Sequence, residues 1–158
     1  MAMGRILAID YGEKRIGLAL SDEERLVAAE ALETIERHGR DSAGRLEEEI
    51  KSLTEKYNVI EIVVGLPLNM DGSAGESAQK VLLFAESLGH VTGLPVSTWD
   101  ERLTTVAARR SQLELNLPLK KRRDKKRIDR AAALILLQNY LNYRKSCGYP
   151  ARSSDQGE

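Results

Sequence analysis

The chain has 158 residues, 42% hydrophobic and 30% charged, with 24 basic residues balanced by 24 acidic ones. That suits one compact domain with a real core, and no apolar run approaches the ~20 residues that cross a bilayer. The amino-terminal MAMGRILAID runs straight into strand-like sequence without the apolar stretch of a secretory leader. Cys147 has no internal disulfide partner, and His38 and His90 are the only histidines. These features argue for a reducing, cytoplasmic setting and against a zinc cluster.

Arg5 to Asp10 (RILAID) is almost wholly apolar, as expected of a strand covered on both faces. Tyr11 to Arg15 reads as a turn, and Ile16 to Ser21 completes a hairpin. Ala31 to Glu36 alternates apolar and polar residues, predicting a half-exposed third strand. From Asp41 to Tyr57, Leu46, Ile50, Leu53 and Tyr57 recur at the spacing of one helical face. The β-branched run Val59 to Gly65 predicts a buried fourth strand. A turn-rich loop, Leu66 to Gly75, leads into a second helix over Ser77 to Leu88. Pro95 to Glu101 predicts a fifth strand, and Thr104 or Thr105 caps a third helix reaching about Leu115. Asn116 to Lys125 reads as a mobile loop, and a last helix runs from near Lys126 to Arg144. The order βββαβαβαα predicts a mixed five-stranded sheet flanked by helices. It forms one domain over residues 1–145, followed by a polar tail, 146–158, expected to be disordered.

Charge is strongly segregated. Eight of the eleven residues from Lys120 to Arg130 are Lys or Arg, and only Asp124 and Asp129 are acidic. This segment therefore carries +6 and the rest of the neutral chain −6. Such a patch is the footprint of a polyanionic partner, with salt-sensitive binding.

Three acids stand out against it. Asp10 ends the first strand, where open sheets place their ligand sites, although an Asp before Tyr11-Gly12 also serves a turn. Glu101 ends the fifth strand next to Asp100. The two point to opposite faces, so only one joins Asp10, and Arg102 offers Glu101 an ordinary ion-pair partner. Asp129 heads the face of the last helix that includes Ala132, Ala133, Leu136 and Tyr140, and there it also favours the helix dipole. Three carboxylates at one sheet edge would repel one another, and a hard cation such as Mg²⁺ relieves this. Two such ions ~4 Å apart activate water for in-line displacement at phosphorus.

The stretches IDYGEKRIGLALSD, VVGLPLNMDGSAG, DERLTT and KKRRDKKRIDRAAALILLQ, in this order, resemble the YqgF/RuvX family. Its members are described both as Holliday junction resolvases and as nucleases maturing the 5′ end of precursor 16S ribosomal RNA. The resemblance covers Ile6 to about Tyr140. It implies an RNase H-like sheet of order 3-2-1-4-5 and metal-dependent phosphodiester hydrolysis, with Asp10, Glu101 and Asp129 holding Mg²⁺ or Mn²⁺. In that order the fourth strand separates Asp10 from the fifth, so Glu101 has to reach across nearly 10 Å of sheet, two strand spacings of ~4.8 Å.

Other residues suit substrate handling. Lys14 and Arg15 project from the hairpin turn beside Asp10, and Asn69, Asp71 and Gly72 precede a helix N-terminus, a natural anion site that also reads as a plain turn. Arg102 and Thr104 follow Glu101. Lys120, Lys121, Arg122, Arg123, Lys125, Lys126 and Arg127 are expected to grip the polynucleotide. Trp99 reads as core rather than as a base-stacking platform, since aromatics total 4%.

The expected partner is nucleic acid, precursor ribosomal RNA ahead of branched DNA, within a pre-ribosomal particle and away from membranes. The rival readings are a junction resolvase, which requires a homodimer where RNA trimming allows a monomer, and a non-catalytic ribosome-assembly factor. An actin-like phosphotransferase is set aside, because it needs a second domain to enclose ATP.

Overall fold

A computed structural model describes residues 3–37, 44–69, 71–101 and 125–146, with the side chains of the last stretch described from 131 onward. The helix expected from Thr104 or Thr105 to about Leu115, the loop from Asn116 up to Asp124 and the tail beyond Ser146 lie outside the described residues.

Strands β1 (Arg5–Tyr11) and β2 (Arg15–Ser21) form the expected antiparallel hairpin, pairing Leu7 with Leu20, Ile9 with Leu18 and Asp10 with Gly17. Gly12 closes it: its N–H donates to the Arg15 carbonyl at 3.0 Å, and a Cβ there would fall 2.5 Å from that oxygen. The turn therefore accepts no side chain at this position.

The third predicted strand is two short ones, β3 (Ala28–Ala31) and β4 (Ile35–Glu36), both paired with β2. Leu32 and Ile35 explain the break. Both are buried in the same core although they lie three residues apart, which a continuous strand of period two forbids. Helix α1 (Arg45–Lys56), strand β5 (Val59–Leu66), helix α2 (Glu76–Thr92) and strand β6 (Val96–Asp100) follow in the expected order. Gly93 stops α2 in the left-handed conformation, φ 72°. The last described element is helix α3 (Lys125–Ser146).

The sheet order is β3-β2-β1-β5-β6, with β4 beside β2. Strands β1, β5 and β6 are parallel, so their carboxyl ends share one rim. Alternate residues feed two cores. Leu7, Ile9, Leu18, Leu20, Val64 and Leu66 pack with Leu46 and Ile50 of α1 and with Val81, Phe84 and Leu88 of α2. On the other face Ile6, Ala8, Ala19, Val63 and Trp99 meet Ala132, Ala133, Leu136 and Leu137 of α3. Alanines on both sides of this second contact let α3 lie close to the sheet.

The direction of α3 follows from its ends. Arg144 Nη1 donates to Glu61 Oε1 at 3.0 Å and Tyr140 Oη to Glu61 Oε2 at 2.8 Å, near the start of β5. Leu136 instead approaches Gly65, near the end of β5. Helix α3 therefore runs antiparallel to β5 and brings its Lys125 end toward the carboxyl rim.

Candidate active site

Asp10 alternates with Ile6 and Ala8, which places it on the α3 face at the carboxyl rim, and it is 7% exposed. Its pairing partner on β2 is Gly17. On β5 the register pairs Ile9 with Val64, so Gly65 is the next step, beside Asp10. The carboxylate is thus flanked on both neighbouring strands by residues without side chains.

Glu101 uses one of these openings. A Cβ built on Gly65 would lie 2.8 Å from Glu101 Oε2, so the Glu101 side chain extends over β5 toward Asp10. Glycine at the intervening position leaves the space in which Glu101 leans across β5. Asp100 pairs with Leu66, which belongs to the opposite core, so the strand register puts Asp100 on the other face. Between the two acids that the sequence left open, Glu101 is the one on the rim of Asp10.

Asp10 and Glu101 line one cleft of about 390 Å³, together with Tyr11, Gly12, Glu13, Arg37, Pro67, Glu76, Ser77, Lys80 and Val81. Four acids thus face two cations. Two carboxylates over a glycine cradle form an all-oxygen donor set that suits a hard divalent cation such as Mg²⁺ or Mn²⁺. Among the described residues no three acidic, histidine or cysteine side chains converge as metal ligands. Asp129, the third predicted acid, lies in the opening turns of α3, and its side chain is outside the described set.

The predicted substrate residues are distributed unevenly around this cleft. Lys14 is exposed on the hairpin turn, where its carbonyl accepts from the Arg37 N–H at 2.9 Å. Arg15 pairs with Glu36, Nε to Oε2 at 3.0 Å, so its guanidinium is already engaged. Asn69 Nδ2 donates to Ser73 Oγ at 3.0 Å, and Asp71 Oδ1 accepts from the Ser73 N–H and hydroxyl at 2.9 and 2.6 Å. The loop before α2 is thereby tied to itself, with Asn69 against Gly75 at the start of that helix. Trp99 is buried, edge-on to Tyr140 at 5.6 Å, as expected of a core residue. Lys125, Lys126 and Arg127 lie in the opening turn of α3, while Arg102, Thr104, Lys120, Lys121, Arg122 and Arg123 are outside the described residues.

Sequence reasoning missed the far wall of the cleft. Arg37 donates to the Gly12 carbonyl and sits 4.4 Å over the Tyr11 ring, which itself stacks on Phe84 of α2 at 4.4 Å. Glu76 and Lys80 stand one turn apart on α2 and read in sequence as an ordinary solvated helix pair. Nothing local in IERHGR or GESAQKV marks these residues, because only the fold sets them beside Asp10.

A family model described as RuvX, Holliday junction resolvase, matches residues 4–143. A Clostridium kluyveri protein is 47% identical over 138 residues, 87% of this chain and 96% of its own length. One from Clostridioides difficile is 44% identical over 144 residues, covering 91% and 98%, and one from Syntrophus aciditrophicus is 41% identical over 154, covering 98% and 99%. All three are named "Putative pre-16S rRNA nuclease". Among solved structures, Thermus thermophilus RuvC in complex with Holliday junction substrate superposes with a TM-score of 0.56 at 16% identity, covering 93% of this chain and 99% of that one. A second RuvC structure from the same organism gives 0.52 at 14%, covering 90% and 96%. At such identity the likeness shows a shared RuvC-like RNase H fold.

Proposed function

The chain belongs to the RuvX family, and on that premise we propose that it is a cytoplasmic, metal-dependent nuclease acting in 5′-end processing of precursor 16S ribosomal RNA. The observation that carries the reading is the Glu101 carboxylate laid over Gly65 toward Asp10, with both acids lining one cleft. Two like charges on one rim oppose each other unless a cation lies between them. Asp10 and Glu101, joined by Asp129 from the end of α3 nearest the rim, would hold Mg²⁺ or Mn²⁺.

When bound, the ion supplies the positive charge that activates water and stabilises the leaving oxygen of a phosphodiester. The chain's own residues do the rest. Asp10 is held on a strand paired on both sides, beside Gly17 of β2 and Gly65 of β5, with the Glu101 carboxylate in the space over Gly65. Lys120 to Arg127, with Arg102 and Thr104, neutralise the backbone, and Lys14 and Asn69 stand at the rim. Arg15 contributes only if its ion pair with Glu36 opens.

Relatives at 41–47% identity carry an RNA-processing name, which favours RNA. The family model's own description favours a second reading, cleavage of four-way DNA junctions. The test is side-by-side cleavage of a 5′-extended 16S precursor transcript and a four-way junction, with and without Mg²⁺. The expected result is Mg²⁺-dependent cleavage of the transcript, abolished in Asp10→Asn and Asp129→Asn while RNA binding persists. Selective cleavage of the junction would establish the second reading. Undiminished turnover by Asp10→Asn would refute the role given to Asp10, whereas a wild type that binds RNA but cleaves neither substrate with Mg²⁺ present would be a non-catalytic assembly factor.

A further inference from the structure

The cleft is not confined to the face that carries Asp10 and Glu101. Those two acids lie on the α3 side of the sheet, whereas Tyr11 and Val81 belong to the core beneath α1 and α2. The cleft therefore wraps over the carboxyl rim from one face to the other. Its only cations among the described residues are Arg37 and Lys80, both associated with the α2 wall.

Lys80 is exposed and makes no hydrogen bond or ion pair with any described residue, although Glu76 stands one helical turn before it. An exposed acid and lysine four apart attract only weakly, by about 0.2–0.5 kcal/mol, so Glu76 does not tie the ammonium down. Here the ammonium stays uncommitted, in a wall that also carries the acids Glu13 and Glu76. Arg37 is already anchored through the Gly12 carbonyl and the Tyr11 ring, so its position is fixed relative to the turn that follows Asp10.

We propose that Lys80, supported by Arg37, grips a backbone phosphate on the α2 side of the rim, so that a bound single strand crosses the sheet edge over Asp10 and Glu101. Lys80 then holds one flank of the cleaved bond. A cleft of about 390 Å³ is the size of a small-ligand pocket. That is room for part of a single strand, and the contact proposed is with one strand rather than with a duplex. The inference rests on the nuclease reading for its direction, and its test is read by binding alone.

Binding of single-stranded oligouridylate and of a four-way DNA junction is measured across a salt series without divalent metal, so no cleavage occurs. Lys80→Ala should weaken oligouridylate binding about fivefold and lower its salt slope by about 0.7, the share of one phosphate contact on a single strand. Junction binding should be unchanged, Lys80→Arg should restore the wild-type values, and Lys145→Ala, at the opposite end of α3, should alter neither substrate. An unchanged oligouridylate affinity and slope overturns the proposal, as does equal weakening of both substrates. A wild type that binds as expected but never cleaves the precursor transcript would instead overturn the nuclease reading and leave this contact standing.

Discussion

A methyl group at position 65 would stand 2.8 Å from a Glu101 carboxylate oxygen and 3.3 Å from Leu136 Cδ2. Glutamate can swing away because the oxygen is the far end of a flexible side chain, and Leu136 has to give by a few tenths of an ångström. Gly65→Ala should therefore fold, with a loss of about 1–3 kcal/mol from overpacking. It should lower kcat at least about tenfold and raise the Mg²⁺ needed for half-maximal cleavage, because small misplacements of reacting groups are costly. Initial rates over a Mg²⁺ titration, beside a thermal melt, check this, and an unaltered Mg²⁺ dependence would count against the role given to Glu101. The sequence singled out Asp10 and favoured Glu101 over Asp100, but the strand register that sets Asp100 on the other face was not legible. That register pairs Trp99 with Gly65 and is set by strands far apart in the chain.

The buried group at the far end of α3 shows how an element holds the site. Glu61 of β5 is closed in between Arg144 and Tyr140, and all three are buried. Removing one charge strands the other, so Arg144→Ala should cost about 3–5 kcal/mol in urea denaturation. The double change Glu61→Leu with Arg144→Met should recover most of that loss, since apolar pairs of similar volume replace buried ions with little penalty. A double variant as unstable as the single one would contradict it. Most elements were readable: β1 and β5 as short, nearly continuous apolar runs buried on both faces, and α1 through apolar steps of three and four. The pair β3 and β4 was not, because Leu32 and Ile35 both turn inward across an irregular segment that simple alternation does not anticipate. Nothing local in VIEIVVG marks Glu61 as buried and paired, since its partner is 83 residues away.

At the scale of the molecule, the neutral total hides a +6 segment from Lys120 to Arg130 and a −6 remainder. RNA binding should therefore weaken steeply with salt. Replacing Lys120, Lys121, Arg122 and Arg123 together by alanine should reduce the single-strand salt slope by about 3, at roughly 0.7 per phosphate contact. A slope equal to the wild type's would place the grip elsewhere. The sheet order was legible through the order of its strands and the family resemblance. The cleft that wraps over the rim was not, since Arg37 and Lys80 meet Asp10 only through the topology.

The proposed activity requires that Asp10 and Glu101 share a cation. Crystals soaked in Mn²⁺ and measured at its absorption edge address this directly. The predicted result is an anomalous peak over Gly65 within about 2.0–2.6 Å of an oxygen from each carboxylate, the range of hard-cation contacts, and its loss in Glu101→Gln. No peak there, at Mn²⁺ concentrations that support cleavage in solution, would contradict it.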